Sequence, residues 1–458
     1  MTKERIRLLL GIALPIAMQN LINFAVNLMD TVMLGQLGEV PLAASSLANQ
    51  VFFIVTLVVY GIGGGANVLA AQFWGKKDKE AIHQILVYTY RMTAAIACVI
   101  TVAAICFPRQ IMRLFTRDAA VITMGADYLR IVAWSYLFFA ATTVTLCVLR
   151  AVHIVRIAMI LSAISLCVNI GLNYILIFGK CGMPVLGIRG AAIATLCARA
   201  VESILLLIYI YKKERKLNLW RLFFAGKKVQ NNRPDLFRIY ISTSVPVILN
   251  ELFWALGEAA VAMILGRLGT EIVSANAIYA NISELSGVVV SGMNSAACVL
   301  VGNVIGQGNR RQLMQDKKLF QRVSVIVGLL GMAIMLLCRG FVIDLYKVTD
   351  ITKMYAGQIM LIGSVVELCR SVQTMNMMGI LRGGGDVRFA MCNDLIFLWG
   401  FTIPCGLIAA LVLKWPVMVV YMVLKLDQCL KIFTSEYRLR TDKWYHMELL
   451  GVVRENEQ

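Results

Sequence analysis

The sequence predicts an all-α polytopic membrane protein with twelve transmembrane helices, arranged as two pseudo-symmetric six-helix bundles. Three observations support this fold class. Hydrophobic residues make up 59% of the 458 residues, charged residues only 15%, and the mean hydropathy is +0.75. The apolar residues form long runs, and the second half of the chain repeats features of the first half. The basic residues cluster between the runs, as the positive-inside rule requires of cytoplasmic loops.

Twelve apolar runs are long enough to cross a bilayer as helices. Their approximate bounds are 8–34, 42–73, 84–107, 121–149, 157–178, 188–211, 239–266, 270–304, 318–338, 355–380, 389–413 and 415–435. A polar stretch separates the first six runs from the last six. We therefore expect an N-terminal lobe over 1–211, a cytoplasmic linker over 212–238 and a C-terminal lobe over 239–435. We expect the charged residues 436–458 to form a peripheral cytoplasmic tail.

The two halves of the chain are related by an internal duplication. A shift of 231 residues places Pro15 on Pro246 and the motif LGQLG on LGRLG. Farther on, a shift of 232 residues pairs VRIAM (155–159) with VRFAM (387–391). Because each half has an even number of helices, both halves enter the membrane from the same side and form a parallel repeat. Repeated halves are typical of secondary transporters, which bind their substrate between them.

The loop charges predict a multi-pass protein of the plasma membrane with both termini in the cytoplasm. Basic residues are concentrated before the first run, in the even-numbered loops and in the linker. The odd-numbered loops are poorer in them, with Arg109, Arg113 and Arg117 as the main exception. This distribution explains the formal net charge of +18 without any nucleic acid. The twelve cysteines include no CxxC pair, so we expect neither a disulfide framework nor a metal site.

The first apolar run carries a polar stripe, which we interpret as the working surface of a transporter helix. Asn20, Asn23, Asn27 and Asp30 follow one another at helical spacing. A carboxylate at the bilayer centre costs about 2.5–3.5 kcal/mol, so we expect Asp30 to face a protein interior or a wet cavity. Pro15 removes a backbone donor from the same helix and can bend it.

Other polar residues within the apolar runs are candidates for a transport role. Asn169 and Asn173 lie four apart in the fifth run, where their amides could position Asp30 or ligate a cation. The second half contains four carboxylates in apolar runs: Glu251, Glu258, Glu284 and Glu367. A neutral, hydrogen-bonded side chain is the alternative for each, but ionisable groups inside a membrane are functional by default. We interpret Arg150 and Arg382, at matching places in the two halves, as cytoplasmic anchors.

The sequence offers no motif of a membrane-embedded enzyme. The glycine-rich run 61–65 lacks the GK[ST] triad and the strand of a phosphate loop, and glycines at this spacing favour close helix packing, as do Gly302 and Gly306. HExxH, GxSxG and metal-binding Cys/His spacings do not occur. We therefore expect a protein that is not an enzyme and requires no cofactor.

Several longer stretches have a distinctive combined pattern: LPIAMQNLINFAVNLMDTVMLGQLG, ANVLAAQFWGKKD, NIGLNYILIFGKCGMPVLGIRGAAIATL, PVILNELFWALG and GILRGGGDVRFAM. In sequence, order and spacing they resemble the multidrug and toxic compound extrusion (MATE) family, over nearly the whole chain. The resemblance implies two six-helix lobes around a central cleft. It also implies a secondary active efflux transporter that exports organic, mostly cationic compounds by antiport with protons or sodium.

The resemblance further implies a cation site in the first lobe. In the family this site combines an aspartate on helix 1, two polar residues on helix 5 and a threonine on helix 6. The matching positions here are Asp30, Asn169, Asn173 and Thr195. The second position on helix 5 is an aspartate in some members, so here Asp30 is the only carboxylate of the site. One carboxylate favours a single proton or a weakly held sodium ion.

The second lobe departs from the family pattern. A glutamate on helix 7 of some members would fall near Trp254, between Glu251 and Glu258. An aspartate on helix 10 of some members is replaced by Ser371, one turn from Glu367. The corresponding chemistry in this lobe is therefore expected on neighbouring residues of the same helix faces.

A lipid-linked sugar or polysaccharide flippase of the same superfamily is the nearest alternative function. Such a protein needs a cationic cavity for phosphate groups, for which Arg199 and Arg370 are candidates, whereas the intramembrane carboxylates are more numerous here. A receptor or scaffold would not require the duplication or the acidic stripe. We expect a monomer that contacts the lipid bilayer and small organic cations.

Overall fold

A computed structural model describes residues 2–220, 234–346 and 348–445, and long helices dominate this part of the chain. The helices of the first half are α1 (Thr2–Gly35), α2 (Glu39–Gly75), α3 (Lys79–Cys106), α4 (Ala119–Ala151), α5 (Arg156–Phe178) and α6 (Ile188–Lys212). The first helices of the second half are α7 (Pro234–Leu268), α8 (Thr270–Gly306) and α9 (Arg310–Leu345). The last three are α10 (Asp350–Thr374, continued by Met375–Leu381 and Arg382–Gly384), α11 (Val387–Val412) and α12 (Val417–Lys425 and Asp427–Arg440).

Ten of these helices in the described chain are long and apolar enough to cross a membrane. The other two are α10, which carries Glu367 and Arg370, and α12, whose α-helical geometry is interrupted at Leu426. All twelve predicted helices are present in the predicted order, and the fold class is confirmed. Most of them extend beyond the apolar runs, because polar residues cap and continue their ends.

The helices α10 and α11 contain wider, π-helical turns. They lie at Met375–Leu381 in α10 and at Ile396–Thr402 and Ile408–Val412 in α11. Such turns insert a residue into the hydrogen-bond pattern of an α-helix and frequently mark functional positions.

The contacts divide the chain into two compact units. The N-terminal unit contains Met18–Ala70 and Lys77–Ile248. The C-terminal unit contains the residues from Leu249 onward, together with the start of α1 up to Ala17 and Ala71–Lys76 of α2. The residues of α1 therefore pass from one unit to the other directly after Pro15, which lies inside this continuous helix.

Glycines of α2 allow α7 to pack closely against it in the N-terminal unit. A Cβ atom built on Gly61 would lie 2.7 Å from the Cα of Ile248. A Cβ atom on Gly65 would lie 2.7 Å from the Cα of Ser244. These separations leave no room for a side chain, so the interpretation of the glycine-rich run as a packing motif is confirmed.

The end of α2 crosses α8 equally closely in the C-terminal unit. A Cβ atom on Gly302 would lie 2.9 Å from the Cβ of Ala71, and one on Gly75 would lie 3.0 Å from the Cα of Gly306. Gly75 and Gly306 occupy matching positions of the internal duplication, so two repeat-equivalent glycines meet at this crossing.

A short helix at Pro108–Phe115 between α3 and α4 was not predicted. Its Met112 is fully buried and lies against Gly125 of α4, whereas Arg109 and Arg113 are exposed. This amphipathic character explains why an odd-numbered loop contains several arginines.

The prediction of a peripheral tail is wrong for residues 436–445. The last helix α12 continues to Arg440, and Trp444 is fully buried against Gly384. Arg438 and Asp386 form an ion pair at 2.6 Å, which joins the same region to the turn before α11. Residues 446–458 lie outside the described part of the chain.

The linker begins with an ordered turn after α6. Both carboxylate oxygens of Glu214 accept backbone hydrogen bonds, from Leu217 N at 2.7 Å and Leu219 N at 2.9 Å. Both leucines are fully buried. Residues 221–233 of the predicted linker lie outside the described chain.

We expect Gly65→Ala to lower the free energy of unfolding by about 1–3 kcal/mol, because the added Cβ overpacks the α2–α7 contact. Gly266→Ala is the matched control, since nothing lies within 4 Å of a Cβ atom at that helical position. Thermal unfolding in detergent, followed by tryptophan fluorescence, measures the difference. Equal unfolding temperatures for the two variants would contradict the packing interpretation.

Candidate ion-coupling site

Helices α1, α5 and α6 bring the four predicted residues of the first cation site together in the N-terminal unit. Asn173 Nδ2 donates a hydrogen bond to Asp30 Oδ1 at 2.5 Å and another to Asn169 Oδ1 at 3.1 Å. Asn169 Nδ2 donates to Thr195 Oγ1 at 3.5 Å. A chain of hydrogen bonds thus runs from α1 through two successive turns of α5 to α6.

The burial of these side chains makes Asn173 the centre of the site. Asn173 is completely buried and Asn169 is 2% exposed, whereas Asp30 and Thr195 are half-buried. Asn173 Oδ1 is buried and accepts no hydrogen bond from the described residues. An unpaired buried acceptor is costly. Together with the Asp30 carboxylate, this free amide oxygen provides the oxygen ligands that a proton or a hard cation requires, so the residues present fit a small cation.

Asp30 forms no ion pair with the described residues. The two ion pairs described in the N-terminal unit join Arg189 to Asp127 and Arg199 to Glu202. The site therefore has a carboxylate without a fixed counter-ion, which a mobile cation can supply.

The nearest strong positive charge is held away from Asp30 by its own partners. Arg199, one turn after Thr195 on α6, lies 3.0 Å from Glu202 Oε2. Its guanidinium also lies over the rings of Phe52 and Phe139, at 6.0 and 5.1 Å from their centroids. Arg199 acts on Asp30 electrostatically but does not contact it.

Two further residues near the site were not predicted from the sequence. The hydroxyl of Tyr128 on α4 donates to Asn49 Oδ1 on α2 at 3.4 Å. Tyr128 is buried, and it interacts with Thr195 and with the charge of Asp30. A single tyrosine or asparagine in an apolar run has no periodic signal, so only the packing of α2 and α4 reveals this contact.

The rest of the polar stripe on α1 does not join the site. Asn27 is exposed, and its backbone carbonyl accepts a hydrogen bond from Thr31 Oγ1 at 2.8 Å. Asn20 and Asn23 are half-buried. Of the predicted stripe, only Asp30 contacts the asparagines of α5.

The four predicted carboxylates of the second half do not form one site. Three of them have different basic partners: Glu251 with Arg382 at 3.1 Å, Glu258 with Lys425 at 3.9 Å and Glu367 with Arg370 at 3.5 Å. The fourth, Glu284, is exposed. The interpretation of Arg382 as a cytoplasmic anchor is wrong, because Arg382 is a half-buried partner of Glu251.

Glu367 is the most deeply buried of these carboxylates. Its side chain is fully buried, and Ser283 Oγ donates to its Oε2 at 3.2 Å. Arg370 Nη1 donates to the same Ser283 Oγ at 2.8 Å. Glu367 Oε1 has no hydrogen-bond partner among the described residues. The role of Glu367 in transport stays a prediction.

The duplication does not repeat the cation site. A shift of 231 residues places Val261 at the position of Asp30, and Val261 belongs to the buried apolar core of the C-terminal unit. The same shift places Pro404 at the position of Asn173. The geometry around Asp30 is thus specific to the first half.

A bundle of membrane-crossing helices with a buried, cation-sized polar site defines a membrane transporter. Comparison with known families identifies it further: the MatE family matches residues 15–175 and 246–408. The chain belongs to the MatE family of multidrug and toxic compound extrusion transporters.

The chain is similar to curated relatives and to solved structures over most of its length. It is 27% identical over 400 residues to "Probable multidrug resistance protein NorM" of Idiomarina loihiensis, covering 87% of this chain and 85% of that protein. It is 26% identical over 419 residues to the protein of the same name from Agrobacterium fabrum, covering 89% and 86%. The fold matches an outward-facing multidrug resistance MATE family transporter of the MOP superfamily with a TM-score of 0.83, at 18% identity and coverage of 97% and 96%.

We expect Asn173→Asp to tighten sodium binding by at least about tenfold, because a second carboxylate beside Asp30 attracts the cation more strongly. The shift in unfolding temperature of the detergent-solubilised protein, titrated with sodium chloride, reports this binding. Choline chloride at equal ionic strength is the salt control, and Asp127→Asn, at an exposed ion pair with Arg189, is the control variant. Equal sodium dependence of Asn173→Asp and the wild type would contradict the ligand role of this position.

Proposed function

We propose that this protein is a secondary active efflux transporter of the plasma membrane, which exports organic, mostly cationic compounds in exchange for protons or sodium. The observation that carries the proposal is the contact of Asp30 with Asn173, whose other amide oxygen is free. The names of the relatives, which are multidrug resistance proteins, support the substrate class. The proposed protein works as a monomer without a cofactor and has both termini in the cytoplasm.

The ion acts by changing the hydrogen bonds of Asn173. When Asp30 is ionised, it accepts the hydrogen bond from Asn173 Nδ2. A proton on Asp30 turns this carboxylate into a donor, for which Asn173 Oδ1 is a free acceptor. Making that bond requires the amide to turn, and its Nδ2 then leaves Asn169. A sodium ion bound to Asp30 and Asn173 Oδ1 competes for the same oxygens.

Helix α1 is the element that we propose to respond. An ion shifts a conformational equilibrium only through different affinities for the two states, and Asp30 provides such a difference. The residues of α1 belong to the N-terminal unit only from Met18 onward, and Pro15 precedes this change of unit. A related MATE structure has been solved in a bent and a straight conformation, which supports two states of the fold.

The substrate class follows from charge and from adaptable side chains. Asp30 offers an uncompensated negative charge to an organic cation once the coupling ion has left. The chain contains 23 methionines, and flexible methionine side chains suit varied ligands.

Movement of an anionic, lipid-linked saccharide is the second candidate function. One observation favours it: Arg199 and Arg370 are partly exposed guanidinium groups within the helical units. A related transporter of Pyrococcus furiosus, 17% identical and with a TM-score of 0.82, was described as having a binding pocket of reverse polarity that suggests a different function. Binding of an anionic substrate in preference to ethidium would favour this candidate.

We expect Asp30→Asn to abolish gradient-driven export, because an amide cannot carry the change of charge. Ethidium efflux from energised inverted vesicles of a pump-deficient host measures export, with empty-vector vesicles as background. Asp127→Asn is the matched control, since it removes a carboxylate from an exposed ion pair of the same unit. Normal export by a fully expressed Asp30→Asn protein would move the coupling role to Glu251, Glu258 or Glu367.

We expect an inward proton or sodium gradient to drive export by the purified wild type in proteoliposomes. The two gradients are imposed separately, with valinomycin and potassium holding the membrane potential at zero. Export under neither gradient would contradict the proposed antiport. Export of a lipid-linked anion with no export of ethidium would replace it with the second candidate function.

A further inference from the structure

A second group of buried charges lies in the C-terminal unit, apart from all residues discussed above. Lys431 on α12 has its Nζ 3.0 Å from Asp394 Oδ1 on α11 and 2.9 Å from Asp427 Oδ2, one turn earlier on α12. We call these three residues the Lys431 triad. Only 4% of the side chains of Lys431 and Asp427 is exposed, against 14% for Asp394. No periodic pattern in the sequence predicts this group.

The charges of the triad do not balance when all three groups are ionised. One ammonium and two carboxylates leave a single negative charge in excess. Among the described residues, Lys431 is the one basic side chain that pairs with either aspartate. An uncompensated buried charge is costly, and one proton on a carboxylate removes it.

The two aspartates differ in their capacity to take up this proton. Asp427 Oδ2 accepts a second hydrogen bond from Gln428 Nε2 at 3.2 Å, which stabilises its ionised form. Asp394 has Lys431 as its described partner and is the more exposed of the two. The proton therefore goes to Asp394, which becomes a neutral carboxylic acid, while Lys431 and Asp427 remain an ion pair.

We infer that the Lys431 triad is a second proton site, at which Asp394 takes up one proton in each transport cycle. The inference rests on the proposed antiport and extends it to the C-terminal unit. Lys431 excludes a metal ion, because its ammonium already lies between the two carboxylates and repels another cation. A proton needs no such space, since it forms an O–H bond with one carboxylate oxygen. Loss of the negative charge on Asp394 weakens its attraction to Lys431, and with it the link between α11 and α12.

The helices around the triad have the geometry of movable elements. The π-helical turn Ile396–Thr402 of α11 begins two residues after Asp394. The π-helical turn of α10 contains Asn376, whose Nδ2 donates to Ser435 Oγ at 3.3 Å. Ser435 lies one turn after Lys431 on α12. Both helices that face the triad and its continuation thus contain a turn that differs from α-helical geometry.

A row of polar groups continues from the triad along α12. Gln321 Nε2 on α9 donates to Asn376 Oδ1 at 3.2 Å and to Glu436 Oε2 at 2.6 Å. Glu436 Oε1 in turn accepts from Arg440 Nε at 3.5 Å, and Arg440 is exposed. This row gives a proton a polar path from the exposed end of α12 towards the triad.

The remaining titratable groups on the helices packed around α12 have other partners or are exposed. The thiol of Cys429 contacts that of Cys369, and both lie on the side of α12 that faces α10. The other pairs are Glu367 with Arg370, Lys425 with Glu258, Arg438 with Asp386 and Tyr421 with Asn276. The exposed groups are Arg388, Cys392 and Tyr437.

The number of protons exchanged per substrate tests the inference. Full-length wild type, Asp394→Asn and Asp316→Asn are reconstituted, and the substrate gradient sustained at equilibrium by a known pH gradient is measured. We expect one proton fewer for Asp394→Asn and the wild-type number for Asp316→Asn. Asp316 is a matched control, because it is a buried carboxylate of the same unit that pairs with Arg5 at 3.6 Å. The wild-type proton number in Asp394→Asn would overturn the inference.

Infrared spectra test it even where a variant does not transport. Difference spectra of the folded, detergent-solubilised proteins between acid and alkaline pH record the carboxylic acid C=O bands. We expect Asp394→Asn to lose one band that Asp316→Asn retains, and a full set of bands in Asp394→Asn would overturn the inference. Failure of the proposed function is distinguishable, since it means that the wild type exports nothing under either gradient, and the spectra still decide the protonation of Asp394.

Discussion

The hydrogen bond from Asn173 to Asp30 is the interaction on which the account of this protein depends. A carboxylate within an apolar helical bundle requires compensation. Here an amide group provides part of it, and no arginine or lysine of the described chain contacts Asp30. An amide compensates only partly and has a second oxygen that stays free. The charge of Asp30 is thus stabilised enough to persist in the fold and remains available to a proton or cation.

The two halves of the chain share a fold but not an electrostatic arrangement. In the first half, the site carboxylate is separated from Arg199, which is held by Glu202 and two aromatic rings. In the second half, valine replaces that carboxylate, and the buried carboxylates pair with basic residues. The duplication therefore preserved helix packing, as at Gly75 and Gly306, while the polar groups diverged.

The sequence predicted features with local periodicity and missed those produced by contacts between distant segments. The twelve helices, the duplication and the alignment of Asp30 with Asn169 and Asn173 follow from hydropathy, helical spacing and family resemblance. The pairing of Glu251 with Arg382 joins residues 131 positions apart, which no helical pattern contains. Trp444 likewise lies in a charged stretch and is buried only because α12 continues far enough to place it against Gly384.

The most direct test of the central claim separates coupling from transport itself. Asp30→Asn protein in proteoliposomes is assayed for substrate exchange without an ion gradient and for uphill accumulation with one. If Asp30 couples ion flow to export, the variant exchanges substrate across the membrane but accumulates none above equilibrium, whereas the wild type does both. Uphill accumulation by Asp30→Asn at the wild-type level would contradict the account.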